Sequence, residues 1–569
     1  MKIDIAQVPF SAPSTYLCVS DIKAAVWGKR AQTEGLYLRT ARAGHHAHGG
    51  MLARIRPLLD GNETAYQYEA TPWQITITAG ANGSICIAMD KSGQVRFVGH
   101  GLDMELEFEP NTFDEFLTYA PDAWYLAAFG YESKLMLRRL SGEVEVCDPG
   151  LEARASSKQF RVTGDSWEII VEEFRMVYQP MARWPDFDSC VRNSKAQFCE
   201  YAEKVVRGVP ERYIDAARRA AYVNWSAQVG PEGLLEGSVM LMSKNWMNSV
   251  WTWDCQFNAV ELCEYDPDGS WDNFASPFRR QAECGVLLDM VSDHTWSDTY
   301  TKPPVHGWAL AHLRRAGVLT PARRAWAYDH LLRCVNSWYN YMDWDGDGVC
   351  QYNHGNDSGW DNCTYFLCGA PIEGPELSAY LTLCWDELAK LATEMGRYAE
   401  ARAHRERADR QIKDLLAHSW DGERFHVYQS GTHREKTDCD SLLPFLPILL
   451  GDRLPRDVFD KLAAGLKQQG RFLTPFGLAT ERVGDEYYVS DGYWRGPIWA
   501  PPMMFIIDGL SRGGETEFAA ELAERFCANC AHVGFAENFD ATSGAALRDP
   551  AYTWTSSVFL ILAKHFIVK

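Results

Sequence analysis

The sequence predicts a mainly α-helical protein in which an N-terminal antiparallel β-sandwich domain precedes a larger helical domain. The first observation is length: the 569 residues exceed the roughly 250–300 at which one hydrophobic core usually divides into several. The second is a change in hydrophobic period, from two in the first third of the chain to about 3.6 in the rest. We therefore predict a boundary near residue 205, with domains over 1–205, including a linker, and 206–569.

Alternating apolar residues predict half-buried strands between residues 30 and 180. Ile75 and Ile77, followed by Ile85 and Ile87, are typical of the pattern. Turn signals such as the Asn-Gly pair at 82–83 separate these runs. Closely spaced turns of this kind favour an antiparallel sandwich over parallel strands joined by helices.

Helical spacing dominates after a connection marked by Pro180, Pro185 and Pro210. Residues 397–417 are strongly charged on one face, whereas residues 496–510 are apolar almost all round. An outer helix needs a solvated face and an inner helix does not, so the two kinds predict two concentric rings. Loops rich in Trp, Asp, Asn and Gly would gather at one mouth of the rings, where functional sites are commonly built.

Composition and charge argue against several classes of partner. The formal net charge is -20, and no segment carries the basic patch that nucleic-acid binding needs. The sequence has no run of about 20 apolar residues and no basic start followed by an apolar stretch, so we predict neither a membrane span nor a secretory leader. The 16 cysteines are scattered and predict free buried thiols. We expect a cytoplasmic protein, with its oligomeric state left open.

Two short patterns resemble metal-binding sequences, and we favour a structural role for both. Residues 343–348 open like a calcium loop, but the twelfth position is His354 and not the bidentate Glu that the ion requires. We favour a tight turn there, and calcium is the alternative. The histidines of GHHAHGG, which are His45, His46 and His48, have no acids or cysteines beside them and predict a solvated loop. We predict no metal and no cofactor.

Tryptophans are concentrated beside acids and amides in the helical part. The sequence contains 21, many in segments such as KNWMNSVWTWD, NDSGWDN and DGYWRGPIW. Sugars present apolar ring faces and a rim of hydroxyls, so flat aromatic side chains next to short polar ones suit a carbohydrate site. Core packing is the alternative, and we favour it for Trp326 and Trp338, which stand at helical spacing. We favour a sugar site for the tryptophans in predicted loops, which are Trp251, Trp253, Trp360, Trp494 and Trp499.

Two carboxylates in these loops are candidates for glycoside hydrolysis. That reaction uses one protonated carboxyl, which gives a proton to the leaving oxygen, and one carboxylate, which activates water or attacks the sugar. Asp361 follows Trp360, and an apolar ring against the carboxyl would raise its pKa, as an acid catalyst requires. Glu537 lies in FAENFDATSG, whose small polar residues leave room for a water. Each has a structural alternative when taken alone, because an Asp in a Ser-Gly turn is usually a turn former.

Five ordered motifs in the helical part resemble those of glycoside hydrolase family 63 and its trehalase-containing relatives. In chain order they are WTWDCQFNAVEL, KPPVHGWAL, SGWDN, YWRGPIW and ENFDATSG, from residue 251 to residue 544. The resemblance implies a C-terminal (α/α)6 barrel and hydrolysis, with inversion, of an α-linked glucoside or mannoside. It does not extend to the N-terminal part, where the β-sandwich is predicted from the residues alone.

The resemblance also implies roles for the residues that match each motif. Asp361 matches the family's general acid, and Glu537 matches the general base that activates water. The residues implied to line the subsite of the cleaved sugar are Trp251, Trp253, Asp254, Trp308, Trp494 and Arg495, to which Trp360 is added for its position beside Asp361.

Two further residues, both in KPPVHGWAL, bear on the aglycone, which is the part of the substrate beyond the cleaved sugar. Lys302 stands where the family more often has Gln, and His306 stands in the same loop. We take both as candidate substrate-binding residues. Lys302 together with Arg495 would suit a carboxylate-bearing aglycone such as a glycosylglycerate.

The sequence leaves the sugar, the linkage and the aglycone of the small carbohydrate substrate open. A glycoside phosphorylase or trehalase-like enzyme on the same barrel, or a non-catalytic carbohydrate-binding relative, is the alternative. A phosphorylase needs only the acid, so the presence of both Asp361 and Glu537 favours hydrolysis. Inversion predicts that their carboxyls lie about 6.5–9.5 Å apart, whereas a separation near 5 Å indicates retention.

Overall fold

The computed structural model describes residues 1–31, 33–42, 49–90, 93–111, 113–148, 156–181, 183–435 and 437–567. The histidines of GHHAHGG lie outside these residues. The chain divides into two compact units. The first comprises Met1–Val205, Ala221–Ser249 and Ser292–Thr295, and the second comprises Val206–Ala220, Val250–Val291 and Trp296–Lys569.

A large antiparallel sheet dominates the first unit. Among the described residues its strands are β1 Leu17–Ile22, β2 Gly35–Thr40, β3 Met51–Leu59, β4 Asn62–Glu63, β5 Gln67–Thr71, β6 Gln74–Ala79, β7 Gly83–Met89, β8 Gln94–His100, β9 Asp103–Phe108, β10 Glu115–Ala120, β11 Ala123–Ala128, β12 Ser133–Cys147 and β13 Lys158–Phe174. They pair in the order β1-β2-β3-β9-β13-β8-β7-β6-β5, with β4 on β3 and the series β10-β11-β12 joined to β13. The strands predicted from alternation are confirmed, and in the β6–β7 pair Ile75 faces Ile87 and Ile77 faces Ile85.

One Trp-rich segment contributes to the core of this first unit. Trp246 packs edge-on against Trp27, with ring centroids 4.9 Å apart. The buried ammonium of Lys244 donates hydrogen bonds to the Thr15 carbonyl (2.6 Å) and the Ser11 hydroxyl (3.0 Å). A buried cation needs such partners, because it would otherwise lose its hydration without compensation. The first part of KNWMNSVWTWD is therefore structural.

Helices make up most of the second unit, and the first unit contains Ala24–Trp27, Phe187–Val205 and the end of Ile214–Ala227. The α-helices among the described residues are α1 Ala24–Trp27, α2 Phe187–Val205, α3 Ile214–Ala227, α4 Asp254–Leu262, α5 Pro267–Ala275, α6 His306–Arg315, α7 Pro321–Tyr341, α8 Pro375–Glu394, α9 Tyr398–Ser419, α10 Arg456–Lys467, α11 Ala500–Arg512, α12 Thr516–Val533 and α13 Thr553–His565. A long 3₁₀ segment spans Leu443–Arg453. Proline in the first turn starts α5, α7, α8 and α11, where its missing N–H costs nothing.

Two-residue strands occur in the connections. Within the described chain they are Gln228–Val229, Val239–Met240, Val250–Trp251, Met290–Val291, Trp296–Ser297, Ile372–Glu373, Tyr428–Gln429, Arg434–Glu435, Leu473–Thr474, Gly477–Leu478, Ile498–Trp499, Asn538–Phe539 and Ala546–Leu547.

Five helices and the 3₁₀ segment form a closed ring in the second unit. α4 packs on α6, α6 on α8, α8 on Leu443–Arg453, that segment on α11, α11 on α13, and α13 back on α4. These ring elements are buried almost throughout, and in α11 every residue from Ala500 to Leu510 is buried. By contrast, α9 packs on α8 and exposes a charged face. The two kinds of helix predicted from the sequence are therefore present.

The cysteines that the structure describes are all free, and most are buried, as predicted. Cys527 and Cys530 lie on the buried side of α12. In the described part of the chain, no helix combines the length and the apolar character needed to cross a membrane.

Candidate active site

The loop that carries Asp361 follows the short 3₁₀ helix Gly355–Ser358. Gly359 ends that helix with a φ of 72°, and a Cβ at this position would lie 2.7 Å from the ring of Trp253. Both the left-handed backbone and the close approach require glycine. The turn buries Trp360, which is 1% exposed, and leaves the side chain of Asp361 31% exposed.

The carboxyl of Asp361 lies beside a cation and a phenol. Nζ of Lys302 is 3.8 Å from its Oδ1, and the hydroxyl of Tyr493 is hydrogen-bonded to the carboxyl. Burial raises the pKa of Asp361. The neighbouring Lys302 and Tyr493 lower this pKa and the charge of Asp289 raises it, and the net effect is an increase. Asp361 therefore keeps its proton to a higher pH than an ordinary Asp, which a general acid requires.

Glu537 is held between short strands. It directly precedes Asn538–Phe539, which pairs with both Ile498–Trp499 and Ala546–Leu547. The N–H of Glu537 donates to the carbonyl of Asp549 (2.7 Å), and the carbonyl of Glu537 accepts a hydrogen bond from Nε1 of Trp554 (3.2 Å). The backbone of Glu537 is thus fixed on both sides, and the residue is 4% exposed.

The protonation of Glu537 depends on its buried surroundings. Burial, together with the charge of Asp549, raises the pKa of Glu537 to about 8, against the lowering effect of Arg548. Asp254 is also near enough for its charge to raise this pKa. Glu537 is therefore mainly ionised only above about pH 8, and in that form it can take up a proton, which is the action of a general base.

Tyr493 connects the two carboxyls. Burial raises the pKa of Tyr493 well above its ordinary value, and the charges of Asp361 and Glu537 raise it further. Both Tyr493 and Arg548 have a φ of 62°, a left-handed backbone that non-glycine residues adopt at a cost of about 1–3 kcal/mol. The guanidinium of Arg548 lies over the Tyr493 ring, 4.7 Å from its centroid. Strained residues of this kind are common at functional sites.

Five tryptophans form one packed cluster around these loops. Trp494 stacks on Trp499 with ring centroids 4.0 Å apart, and lies 4.9 Å from Trp360 and 6.0 Å from Trp253. Trp554 contacts both Trp253 (5.6 Å) and Trp499 (5.5 Å). Each of the five is at most 3% exposed, so they mainly hold the loops in place. Trp251 is half-buried and keeps part of its surface accessible.

Asp254 offers a free acceptor at the first residue of α4. Its Oδ1 accepts a hydrogen bond from the Tyr552 hydroxyl (3.0 Å), whereas its buried Oδ2 has no hydrogen-bond partner among the residues described. Burial raises the pKa of Asp254 to about 7, while the charge of Lys302 lowers it. A buried oxygen without a partner is suited to accept a sugar hydroxyl.

Polar residues of the motifs fasten the loops to one another. Nδ2 of Asn362 donates to the Gly492 carbonyl (3.0 Å), and its Oδ1 accepts the N–H of Trp494 (2.9 Å). SGWDN is thereby joined to YWRGPIW. Asp540 accepts the Ser490 hydroxyl and two N–H groups of the following turn, which joins ENFDATSG to the same loop.

Two residues predicted to contact substrate occupy core positions. His306 is fully buried at the start of α6, with its ring 4.9 Å from that of Phe278, and burial lowers its pKa to about 3. Nε1 of Trp308 donates to Asp508 (3.1 Å), and Phe257 packs between Trp308 and Trp253. Both residues are buried because α6 belongs to the inner ring. The structure brings Trp253, Asp254, Lys302, Trp360, Asp361, Trp494 and Glu537 together, and Arg495 lies in the same loop as Trp494.

Sequence reasoning missed four residues of this cluster. Tyr493 stands inside the motif YWRGPIW, and Arg548 and Tyr552 follow ENFDATSG by a few residues, so proximity in sequence was an available signal. Asp289 had none. Asp289 is placed at the site because the next residue, Met290, pairs with Trp251 in a short strand, and the carbonyl of Asp289 accepts the Thr252 N–H (3.0 Å).

Four side chains elsewhere in this unit are arranged so that they could hold a metal ion. Asp345, Asp347, Glu373 and His433 each offer one ligand atom, and these atoms lie within 4.8 Å of one another. Asp343, the first acid of the loop, instead accepts the N–H groups of Gly346 (2.9 Å) and Gly348 (3.1 Å) in a tight turn. His354 caps the helix Gly355–Ser358.

Comparison with known proteins finds relatives of the helical part. Residues 247–555 match a family model described as the mannosylglycerate hydrolase MGH1-like glycoside hydrolase domain. A mannosylglycerate hydrolase of Rubrobacter radiotolerans is 24% identical over 435 residues, which cover 58% of this chain and 96% of that protein. A probable mannosyl-oligosaccharide glucosidase of Schizosaccharomyces pombe is 24% identical over 215 residues, covering 34% of this chain and 26% of that protein.

A solved structure shares the fold. The GH63 mannosylglycerate hydrolase of Thermus thermophilus, in complex with glucose, superposes with a TM-score of 0.51 at 16% identity, over 60% of this chain and 98% of that one. The family match extends over more than half of the chain and contains all five motifs. The resemblance to glycoside hydrolase family 63 is confirmed, and the chain belongs to the mannosylglycerate hydrolase MGH1-like family of glycoside hydrolases.

Proposed function

We propose that this glycoside hydrolase cleaves an α-linked glucoside or mannoside of a small glycoside with inversion, using Asp361 as general acid and Glu537 as general base. The observation that carries the proposal is the packing that joins the two loops: Trp360, next to Asp361, lies 4.9 Å from Trp494, which stacks on Trp499. Trp499 in turn is the strand partner of Asn538, next to Glu537. Glycoside hydrolysis needs two carboxyls, one that gives a proton to the leaving oxygen and one that activates water.

We also propose that the helical unit is an (α/α)6 barrel. The closed ring of α4, α6, α8, Leu443–Arg453, α11 and α13 supports this assignment, as do the outer helices α9 and α12 that pack on it. For the N-terminal part we propose a β-sandwich domain over 1–205, supported by its antiparallel strands.

In the proposed reaction, the cleaved sugar binds with a hydroxyl on Oδ2 of Asp254. Asp361 gives its proton to the glycosidic oxygen as the bond from that oxygen to the anomeric carbon breaks. Glu537 takes a proton from a water, whose oxygen forms the new bond from the opposite face. The products are the sugar with inverted anomeric configuration and the aglycone alcohol, and proton exchange with solvent restores both carboxyls. The balance is complete without a metal or a cofactor.

We propose Arg495, and not Lys302, as the residue that binds an anionic aglycone. Lys302 is engaged by Asp289, Asn356 and Asp361, whereas Nε of Arg495 is buried without a hydrogen-bond partner among the described residues. Arg495 is therefore the candidate partner for an anionic aglycone, and glycosylglycerates are the first substrates to try. We keep a cytoplasmic location as a proposal, which the free cysteines support.

The test is hydrolysis of α-mannosylglycerate, α-glucosylglycerate and trehalose by Asp361→Asn and Glu537→Gln. Each variant should lose about 10²–10⁴-fold in kcat, the contribution typical of a positioned acid or base. The exposed acids Asp457 and Glu517, changed to Asn and Gln, serve as matched controls and should keep the wild-type rate. Full hydrolytic activity in folded Glu537→Gln would refute the mechanism.

A further inference from the structure

A buried lysine lies beside the proposed general acid. Lys302 is 5% exposed, and its Nζ is 3.2 Å from Oδ1 of Asp289 and 3.8 Å from Oδ1 of Asp361. The same nitrogen donates to the carbonyl (2.9 Å) and the side-chain oxygen (2.7 Å) of Asn356. An ammonium has three donors, of which Asn356 accepts two, and the ammonium also forms an ion pair with the carboxylate of Asp289. The charge of Lys302 is thus paired with two carboxyls of the protein itself, those of Asp289 and Asp361.

The loops that carry this lysine and the acid are joined to each other. Asp357 accepts the N–H of Thr301, next to Lys302, at 3.1 Å, and with its other oxygen accepts the N–H of His354 at 3.0 Å. Asp289 is fixed by the strand pairing of Met290 with Trp251. The position of Nζ relative to Asp361 is therefore determined by backbone contacts as well as by its own hydrogen bonds.

We propose that Lys302, anchored by Asp289 and Asn356, is the positioning residue of the general acid. It holds the carboxyl of Asp361 in reach of the leaving oxygen and stabilises the carboxylate that remains once the proton has been given. The inference rests on the proposed function, in which Asp361 is the acid. While Asp361 is neutral the ammonium attracts it weakly, and the attraction grows as the proton leaves, so the interaction favours the transition state over the ground state.

Replacement of Lys302 by an uncharged residue should change the pH dependence of kcat/KM, which a general loss of stability would not do. The ionisable groups that face Asp361 are Lys302, Tyr493, Asp289 and His354. Without the ammonium, Asp289 is a buried negative charge near Asp361 with no cation between them. Asp361 then holds its proton to higher pH, so the alkaline limb of kcat/KM moves upward even as the rate falls.

The experiment compares substrates that need a proton on the leaving group with substrates that need it little. The first kind are α-mannosylglycerate and α-glucosylglycerate, and the second are α-mannosyl fluoride and α-glucosyl fluoride. Lys302→Met should lower kcat at least about tenfold on the glycerates and less than about threefold on the fluorides. Lys302→Arg should restore both the rate and the alkaline limb. Lys467→Met, an exposed lysine paired with Glu515 at 2.6 Å, is the matched control.

Equal losses on both kinds of substrate, with an unmoved alkaline limb, would overturn the inference. Should Lys302→Met fail to fold, Lys302→Gln replaces it, because Gln keeps a donor for Asn356 and removes the charge. The proposed function fails separately, through an Asp361→Asn variant that hydrolyses the glycerates at the wild-type rate. If only the inference about Lys302 is wrong, Asp361→Asn is still inactive, and Lys302→Met loses the same factor in kcat on the glycerates and on the fluorides.

Discussion

At the scale of residues, the proposed mechanism requires Asp361 and Glu537 to hold opposite protonation states at the same pH. Glu537 works only as a carboxylate, and burial raises its pKa to about 8, so kcat/KM should rise with pH through that value. Asp361 would act only while protonated, and its raised pKa preserves that form to a higher pH than an ordinary Asp would. Catalysis would therefore depend on the fraction of molecules in which Glu537 is ionised while Asp361 keeps its proton.

Arg548 tests this assignment. Its positive charge lowers the pKa of Glu537, so Arg548→Met should raise that pKa and move the acidic limb of kcat/KM to higher pH by about one unit. Arg548→Lys keeps the charge and should leave the limb near its wild-type position. A limb that stays in place, or moves to lower pH, in Arg548→Met would show that Glu537 does not control it.

Sequence reasoning proposed the two carboxyls through their motifs but did not predict the charged residues that change their pKa values. Asp289 and Arg548 act on the site through a two-residue strand pairing and a strained turn, respectively, and neither has a sequence period. His306 was taken as a candidate because a loop was predicted where the structure begins the buried helix α6, and Trp308 because the family resemblance implied it. The boundary of an inner helix depends on tertiary packing, which a single sequence does not display.

At the scale of elements, the loops that carry the proposed catalytic residues are held together by a few contacts. Asn362→Ala removes both hydrogen bonds that join SGWDN to YWRGPIW. We expect the free energy of unfolding to fall by about 1–3 kcal/mol. We expect kcat to fall about 10–100-fold, because Asp361 is then no longer held in a fixed position relative to the YWRGPIW loop. The exposed Asn62 of β4, changed to Ala, is the control. Unchanged kcat in Asn362→Ala would mean that the acid loop is fixed by other contacts.

Gly359 allows a sharper comparison. Gly359 and Gly396 have nearly equal φ values, 72° and 74°, but a Cβ on Gly359 would meet the Trp253 ring at 2.7 Å, whereas a Cβ on Gly396 would meet nothing within 4 Å. Alanine at either position should cost about 1 kcal/mol for the backbone, and at Gly359 roughly 1–3 kcal/mol more, with a loss of activity. Equal thermal shifts in the two variants would contradict the packing of Trp253 described above.

The strands and long helices were predictable because their hydrophobic periods extend over many residues. In β6 and β7 the alternating isoleucines even face one another across the pair. The two-residue strands that hold Trp251 and Glu537 were not predictable, since so short a segment has no period. The parts of the site that depend on them became visible only with the structure.

At the scale of the whole molecule, buried carboxyls couple stability to pH. Burial raises the pKa values of Asp254 and Glu481 to about 7 and of Glu376 to about 8. Each binds a proton in the folded chain at a pH where the unfolded chain has released it. Their contribution to stability is therefore complete below about pH 4 and is lost as pH rises through 7 and 8.

Glu376→Gln isolates one such contribution. Glu376 is 1% exposed, and glutamine keeps its size while removing the ionisation. We expect the variant to gain roughly 2–4 kcal/mol over the wild type at pH 9 and much less at pH 5, measured by chemical unfolding at both values. Exposed Glu517→Gln should show no such difference between the two pH values. An equal effect of Glu376→Gln at both would show that the carboxyl does not stay neutral.

The division of the chain illustrates what composition cannot reveal. The first unit takes in Ala221–Ser249 and Ser292–Thr295 as well as residues up to 205, and no change of period marks those segments. Lys244 is bound by partners such as Ser11, 233 positions away in sequence. A return of the chain over such a distance follows from tertiary contacts alone.

The proposed inversion is tested most directly by proton NMR of the anomeric signal during the first turnovers of α-mannosylglycerate and α-glucosylglycerate. Attack of water from the face opposite the leaving group releases the β-anomer first, and the α-anomer then appears only as the free sugar mutarotates. Release of the α-anomer as the first product would mean retention, and would contradict the assignment of Glu537 as a base that activates water.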